Sequence, residues 1–151
     1  MATGQVSSIT GDTWQLISTT TMAGATSYTV SSLTGYKTLM VAVTNGVKST
    51  ADYFSLRLNG DTAIGNYAGN GGGDSYYNFS VTSAAASAAT AVIYNTNQSA
   101  PHRMEITGYT AQTGNFVTYI DPTPITSISI STPGGTATLN SGTIKVYGIA
   151  A

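Results

Sequence analysis

Cysteine is absent from this sequence, charged residues are scarce, and histidine and tryptophan occur once each. Without cysteine the fold can contain no disulfide, and no thiolate can hold a metal ion. Charged residues make up 7% of the chain, against an average of about 25%. Nucleic-acid binding needs clustered Lys and Arg. The formal net charge of −1 therefore argues against a nucleic acid partner.

Long hydrophobic runs are also missing. No stretch approaches the roughly 20 apolar residues that a membrane-spanning helix requires. The first twelve residues, MATGQVSSITGD, have neither the basic start nor the apolar run of a secretory signal. We therefore expect a protein that is synthesised in the cytoplasm and has no membrane partner.

The residues that are present favour one domain. A length of 151 residues with 41% apolar residues is enough for a single hydrophobic core. The polar residues are mainly Thr, Ser, Gly and Asn, so the predicted surface is polar but nearly uncharged. We predict an N-terminal arm over residues 1–12 and a single β-sandwich domain over residues 13–151.

Short runs of β-branched and aromatic residues recur about every dozen residues, separated by Gly, Asn, Asp, Ser and Pro, which predicts strands joined by turns. No segment has a convincing helical pattern. The fold class we predict is all-β, an antiparallel β-sandwich of about ten short strands, with a jelly roll as the expected arrangement. The predicted strands cover residues 13–18, 25–31, 37–44, 53–58, 76–82, 90–95, 102–109, 115–120, 125–131 and 142–149.

Several predicted strands alternate between apolar and polar residues, which is typical of strands with one face in a core. The segment Leu39–Val43 is apolar on both faces, so we expect a central strand that is covered on both sides or by a neighbouring subunit. The residues predicted to point inward from the alternating strands are Phe54, Leu56, Leu58, Met104, Ile106, Thr126, Ile128 and Ile130.

Glycine and proline mark the predicted turns. Asn45–Gly46 and Asn59–Gly60 predict tight hairpins, because both dipeptides tolerate positive φ. Pro133–Gly135 predicts a turn between the last two strands. The Ala-rich segment 83–91 fits a loop, a single helical turn or a flat strand against a neighbour.

Residues suited to catalysis are few and scattered. His102, the one histidine, opens a predicted strand, where we expect an exposed or capping side chain rather than a general base. The six acidic residues show no pairing of the kind that a glycosidase needs, so a polysaccharide depolymerase is the least favoured hypothesis. The glycine loop at 70–74 resembles a calcium-binding turn only weakly. We predict no catalytic residue, metal site or cofactor.

Tyrosines beside a glycine-rich loop form the candidate ligand site. Tyr rings with neighbouring Asn and Asp can stack on and hydrogen-bond to a glycan or a host surface. The alternative is that these tyrosines pack at the edge of a sheet. The candidate ligand-binding residues are Tyr67, Asn70, Asp74, Tyr76 and Tyr77.

Four segments together resemble a known group of proteins. They are WQLIS at 14–18, LTGYKTLMVAV at 33–43, LRLNGDTAIGNY at 56–67 and GTIKVYGIA at 142–150. In this order they resemble small β-sandwich proteins on the virion surface of tailed bacteriophages, which include head decoration or cement proteins, head fibres and minor tail proteins. The resemblance brings no catalytic residues.

The resemblance implies a non-enzymatic virion protein on the phage particle. With the short chain, it favours a capsid decoration protein that binds the major capsid protein, or other virion proteins, and stabilises the shell. The alternative is a tail or head-fibre module that binds a host-surface glycan. We expect a homotrimer, with subunits meeting at Leu39, Met40, Val41, Val43, Ala84, Ala85 and Ala86.

Overall fold

A computed structural model describes residues 12–68, 77–80, 83–107 and 116–151. These residues form eleven β-strands, no α-helix and one 3₁₀ turn at Pro133–Gly135. The all-β class and the absence of significant helix are thus confirmed for the described residues. The strands are β1 (Gln15–Thr21), β2 (Ser27–Ser31), β3 (Tyr36–Lys48), β4 (Ser55–Leu58), β5 (Tyr67–Ala68), β6 (Tyr77–Asn78), β7 (Ser87–Tyr94), β8 (His102–Thr107), β9 (Phe116–Tyr119), β10 (Ser127–Ser131) and β11 (Leu139–Ala150).

The strands form two antiparallel sheets. The larger sheet has seven strands in the order β1-β11-β3-β7-β8-β9-β5, and the smaller has four in the order β2-β10-β4-β6. Side chains from both sheets belong to one cluster of buried hydrophobic residues. The face of the seven-stranded sheet opposite this cluster is called the outer face below.

Strand β3 occupies the position that its apolar sequence predicts. It pairs with β11 on one side and β7 on the other. Leu39, Val41 and Val43 are buried in the core, whereas Met40 lies half-buried on the outer face. The predicted central position of Leu39–Val43 is confirmed, and cover of its outer face by a neighbouring subunit stays a prediction.

The predicted inward faces are confirmed at seven of the eight positions. Buried in the core are Phe54, Leu56, Leu58, Met104, Ile106, Ile128 and Ile130. The inward orientation predicted for Thr126 was wrong, because β10 begins only at Ser127 and the alternation does not extend back to residue 126. Thr126 is exposed, and its neighbour Ile125 is buried in its place.

Asn45–Gly46 does not form the predicted hairpin. Asn45 does adopt a positive φ of 52°, but the pairing of β3 with β7 shifts register between Val43 and Gly46 and the strand continues to Lys48. The positive φ is therefore used in a β-bulge, which bends a strand without reversing it.

Asn59–Gly60 does form a tight turn. Both residues have positive φ, 53° and 66°, and the Asp61 N–H donates to the Leu58 carbonyl at 2.9 Å. Strand β4, before the turn, and β5, after it, belong to different sheets. The dipeptide therefore redirects the chain between sheets instead of closing a hairpin.

The turn at Pro133–Gly135 and part of the Ala-rich segment agree with the predictions from the sequence. Pro133–Gly135 lies between the last two strands, as predicted. In segment 83–91 the chain enters β7 at Ser87, so the strand alternative holds for the second half. Ala84 is half-buried, whereas Ala85 and Ala86 are exposed ahead of that strand.

Candidate functional site

The two described tyrosines of the predicted ligand site, Tyr67 and Tyr77, lie in different sheets. Tyr67 is only 1% exposed, and its hydroxyl accepts a hydrogen bond from the Leu58 N–H at 2.9 Å. Burial raises the pKa of Tyr67 to about 12. Tyr77 is half-buried on β6 of the other sheet, paired with Leu56, and burial raises its pKa too.

The other predicted ligand-binding residues, Asn70, Asp74 and Tyr76, lie outside the described residues. Within the described part of the site, the Tyr67 ring is packed 5.0 Å from the Tyr119 ring, between centroids. Tyr67 thus contributes to the core and presents no ring face to a ligand.

The predicted subunit-interface residues are divided between core and surface. Leu39, Val41 and Val43 fill the core of the chain itself. Met40 faces outward from the middle of β3, where the strand register sets it between Tyr147 of β11 and Val92 of β7. Together with Ala84–Ala86, Met40 is the part of the prediction that lies at a surface.

The outer face of the seven-stranded sheet changes character across its width. On one side, Leu16, Tyr147, Met40 and Val92 follow one another in register across β1, β11, β3 and β7. The next strand, β8, presents Glu105 opposite Val92. An apolar row therefore ends at a polar, charged strand.

A depression of about 390 Å³ lies at this change, between the ends of β7 and β8. It is lined by Tyr94, Asn95, Arg103 and Glu105. The Tyr94 hydroxyl donates to the Glu105 carboxylate at 3.0 Å. Burial, followed by this hydrogen bond and the negative charge of Glu105, raises the pKa of Tyr94. The site combines an aromatic ring, an amide, a guanidinium and a carboxylate.

The backbone of Asn95 is held by contacts to its carbonyl oxygen. It has a left-handed conformation with φ of 61°, which Asn adopts more readily than most residues. Its carbonyl accepts a hydrogen bond from the Gln98 N–H at 3.0 Å and lies 3.0 Å from Nδ1 of His102. The position from which the Asn95 side chain emerges is therefore well defined.

His102 is buried, so the expectation of an exposed side chain was wrong, whereas the capping alternative agrees with its contacts to backbone carbonyls. Its Nε2 lies 2.9 Å from the Thr123 carbonyl, and its ring stacks on Tyr119 at 5.9 Å between centroids. Both ring nitrogens face backbone carbonyls, so the ring N–H can donate to the carbonyl of Asn95 or to that of Thr123. A neutral imidazole can donate to one of them at a time.

A second polar cluster connects the turn after β4 to β9. The carboxylate of Asp61 accepts hydrogen bonds from the Ala63 N–H at 2.8 Å, from Nδ2 of Asn66 at 2.6 Å and from the Tyr119 hydroxyl at 2.8 Å. Burial acts to raise the pKa of Asp61, but these hydrogen bonds outweigh it and lower the pKa. The cluster stabilises the turn.

Lys48 is a basic side chain in the core. It is 2% exposed, and within the described residues its ammonium nitrogen has no hydrogen-bond partner. The nitrogen lies 3.8 Å from the centroid of the Phe54 ring. Burial lowers the pKa of Lys48 to about 8, against a smaller opposite effect of Asp52.

The sequence pattern missed the depression as a site. Alternation along the sequence puts Arg103 and Glu105 on one face of β8, but their neighbours Tyr94 and Asn95 follow only from the pairing of β7 with β8. Among the described residues, no group of three His, Cys, Asp or Glu side chains could hold a metal ion. That same part of the chain contains no helix able to span a membrane.

The described residues thus define an all-β protein of two antiparallel sheets, with a depression of mixed apolar and polar lining on one outer face. No protein-family model, curated protein or solved structure matches this chain.

Proposed function

We propose that this protein is a non-enzymatic structural component of a tailed bacteriophage virion, and specifically a capsid decoration protein. The resemblance of four segments to small virion surface proteins carries the proposal. Three of those segments overlap β1, β3 and β11, which are adjacent in the seven-stranded sheet. Three of the four segments therefore lie side by side, whereas the segment at 56–67 spans the turn from β4 to β5.

The complete fold we propose is a β-sandwich of jelly-roll type. Its support is that the two antiparallel sheets share one cluster of buried residues. Facing sheets of this kind bury their inner side chains between them and expose polar residues on the outside. A rigid body with two broad outer faces suits attachment to a shell.

Decoration in this proposal acts by adhesion. A protein that binds only the assembled shell stabilises the shell by the free energy of that binding, and a stable contact buries about 1,200–2,000 Å² in total. The low charge of the chain is compatible with an exterior that is largely covered by partners. We propose a homotrimer, in which Met40 and Ala84–Ala86 supply surface residues for contacts between subunits.

The first experiment is the copy number of the protein per virion, measured by quantitative mass spectrometry against the major capsid protein. Decoration predicts copies in a fixed ratio to the capsid subunits. A handful of copies, as at a single vertex or a tail tip, would refute decoration and favour the fibre alternative. Adding the purified protein to undecorated capsids should restore it to the shell and raise the temperature of shell disruption.

The oligomeric state is tested separately by light scattering of the purified protein. A trimer mass at micromolar concentration is the expected result, and a monomer would contradict it. Met40→Glu places a charge on the outer face of β3 and should weaken a trimer that uses this residue. The matched substitution Thr38→Glu, two residues earlier on the same face, shows whether the effect belongs to Met40.

A further inference from the structure

We infer that the depression lined by Tyr94, Asn95, Arg103 and Glu105 is a binding site for a neutral saccharide. Its lining residues differ from the described tyrosines of the predicted glycine-loop site, Tyr67 and Tyr77, which lie on β5 and β6. A volume of about 390 Å³ is at the lower end of the range of ligand sites, roughly 300–1,000 Å³. The size suits one or two sugar rings.

Tyr94 supplies the apolar contact that such a ligand needs. It is half-buried on the outer face of β7, and its hydroxyl donates to Glu105 at 3.0 Å. This hydrogen bond holds the ring in one orientation before a ligand arrives. The C–H face of a sugar ring can then pack on the aromatic face at little further cost in side-chain entropy.

The other three side chains supply the polar contacts. The Glu105 carboxylate accepts hydrogen bonds from hydroxyl groups, Arg103 donates them, and the amide of Asn95 does both. Neighbouring hydroxyls of a saccharide present donors and acceptors side by side in the same way. The site therefore matches a polyhydroxyl ligand better than a purely apolar or a purely ionic one.

The charge of the site selects among saccharides. Arg103 and Glu105 are two residues apart on β8 and carry opposite charges, so the depression has no excess of either sign. An acidic sugar would gain from Arg103 but would meet the carboxylate of Glu105 as a like charge. We therefore assign the site to neutral sugars and expect acidic sugars to bind more weakly.

The frame of the site is preorganised. Tyr94, Arg103 and Glu105 are on paired strands of the larger sheet, and the Asn95 backbone is fixed by the Gln98 N–H and His102. Sites on rigid elements lose less free energy to ordering when a ligand binds. On a particle that carries many copies, weak single-site binding would also add up through multivalency.

The test uses ligand-detected and protein-detected NMR on the whole purified chain. The probes are maltose, cellobiose, lactose and N,N′-diacetylchitobiose, with N-acetylneuraminic acid as the acidic comparison. At least one neutral disaccharide should bind with a Kd of about 1–10 mM, shift the amide signals of Tyr94, Asn95, Arg103 and Glu105, and bind more tightly than the acidic sugar.

Asn95→Gly is the most informative variant. Glycine accepts the left-handed backbone at this position, so the fold is kept while the amide is removed, and we expect Kd to rise about fivefold. Asn45→Gly is the matched control, because Asn45 is also exposed and left-handed, with φ of 52°, but lies in the β3 bulge. It should bind as the unchanged protein does.

Tyr94→Ala should raise Kd about tenfold or more by removing the packing face, and the amide spectrum reports whether that variant remains folded. No shift with any neutral probe, stronger binding of the acidic sugar, or an equal loss in Asn45→Gly and Asn95→Gly would overturn the inference. The virion copy number does not enter this test, so saccharide binding and capsid decoration stand or fall separately.

Discussion

The ammonium nitrogen of Lys48 lies 3.8 Å from the centroid of the Phe54 ring, inside the hydrophobic core. The face of an aromatic ring attracts a cation, but loss of hydration disfavours the charge, and the pKa of Lys48 falls to about 8 from its ordinary 10.5. The folded chain therefore releases this proton at a lower pH than the unfolded chain does.

We expect the free energy of unfolding to rise between about pH 8 and pH 10. In that interval the unfolded state still binds the Lys48 proton while the folded state has lost it, so stability increases with pH. One group can contribute a slope of at most about 1.4 kcal/mol per pH unit. Urea unfolding followed by tryptophan fluorescence at a series of pH values measures the slope.

Lys48→Met should remove that slope and stabilise the protein by about 1–3 kcal/mol at neutral pH, because an apolar side chain of similar length replaces a buried charge. Lys145→Met, at a half-buried position on the outer side of β11, is the control and should keep the rise. A Lys48→Met protein that is less stable than the original at neutral pH would show that the charge has a stabilising partner.

The hydroxyl of Tyr67 should limit stability at higher pH. Because burial raises the pKa of Tyr67 to about 12, its stabilisation is present below about pH 10 and is lost as the pH rises toward 12. Tyr67→Phe should make this alkaline loss shallower. It should also cost about 1–2 kcal/mol at neutral pH, since the Leu58 N–H loses its acceptor. Equal alkaline curves for the two proteins would contradict the assignment.

Asp61→Asn should destabilise the turn after β4 by about 1–3 kcal/mol. An amide group would face at least one of the donors that now point at the Asp61 carboxylate, which include Asn66 and Tyr119. The lowered pKa of Asp61 also means that its stabilisation is lost as the pH falls below about 4. Denaturant unfolding at neutral and acidic pH measures both effects.

The control for Asp61→Asn is Asp12→Asn. Asp12 is exposed and pairs with Lys37 at the surface, where solvent and salt weaken an ion pair. Its replacement should leave the midpoint of denaturant unfolding nearly unchanged at neutral pH. Equal losses of stability in the two variants would show that the hydrogen bonds of Asp61 contribute no more than the surface ion pair of Asp12.

Gly46→Ala should cost about 1–3 kcal/mol by overpacking. A Cβ atom at Gly46 would overlap the Phe54 ring and a methyl group of Val43. Phe54→Leu shortens the opposing side chain and makes room for the new methyl group. It should therefore cost less stability in the Gly46→Ala protein than in the unchanged protein. Additive losses, measured by thermal unfolding of the four proteins, would indicate that the new methyl group is accommodated elsewhere.

The faces of the strands could be predicted from the sequence because alternation is a local property. Residues such as Leu56 and Ile128 are apolar on the side that the core requires, whatever strand pairs beside them. The same local logic failed at Asn45, where the dipeptide specified a positive φ but not whether a hairpin or a bulge would use it. Partner strands decide that outcome.

The burial of His102 and the depression could not be predicted, since both depend on residues that pairing and loop closure bring together. The carbonyls that face His102 belong to Asn95 and Thr123, on opposite sides of it in sequence. Tyr94 and Glu105 meet across β7 and β8. A single sequence gives no strand order from which such contacts could be read.

The insertion of β11 between β1 and β3 has a consequence for how this chain reaches its native state. Strands β1 and β3, both from the first third of the sequence, cannot join the same sheet until β11, which lies between them, has been synthesised. The seven-stranded sheet therefore cannot close before β11 has emerged from the ribosome. Pairings between such distant strands also fold slowly, in milliseconds to seconds, and in the meantime β1 and β3 expose unpaired edges to chaperones and to other nascent copies.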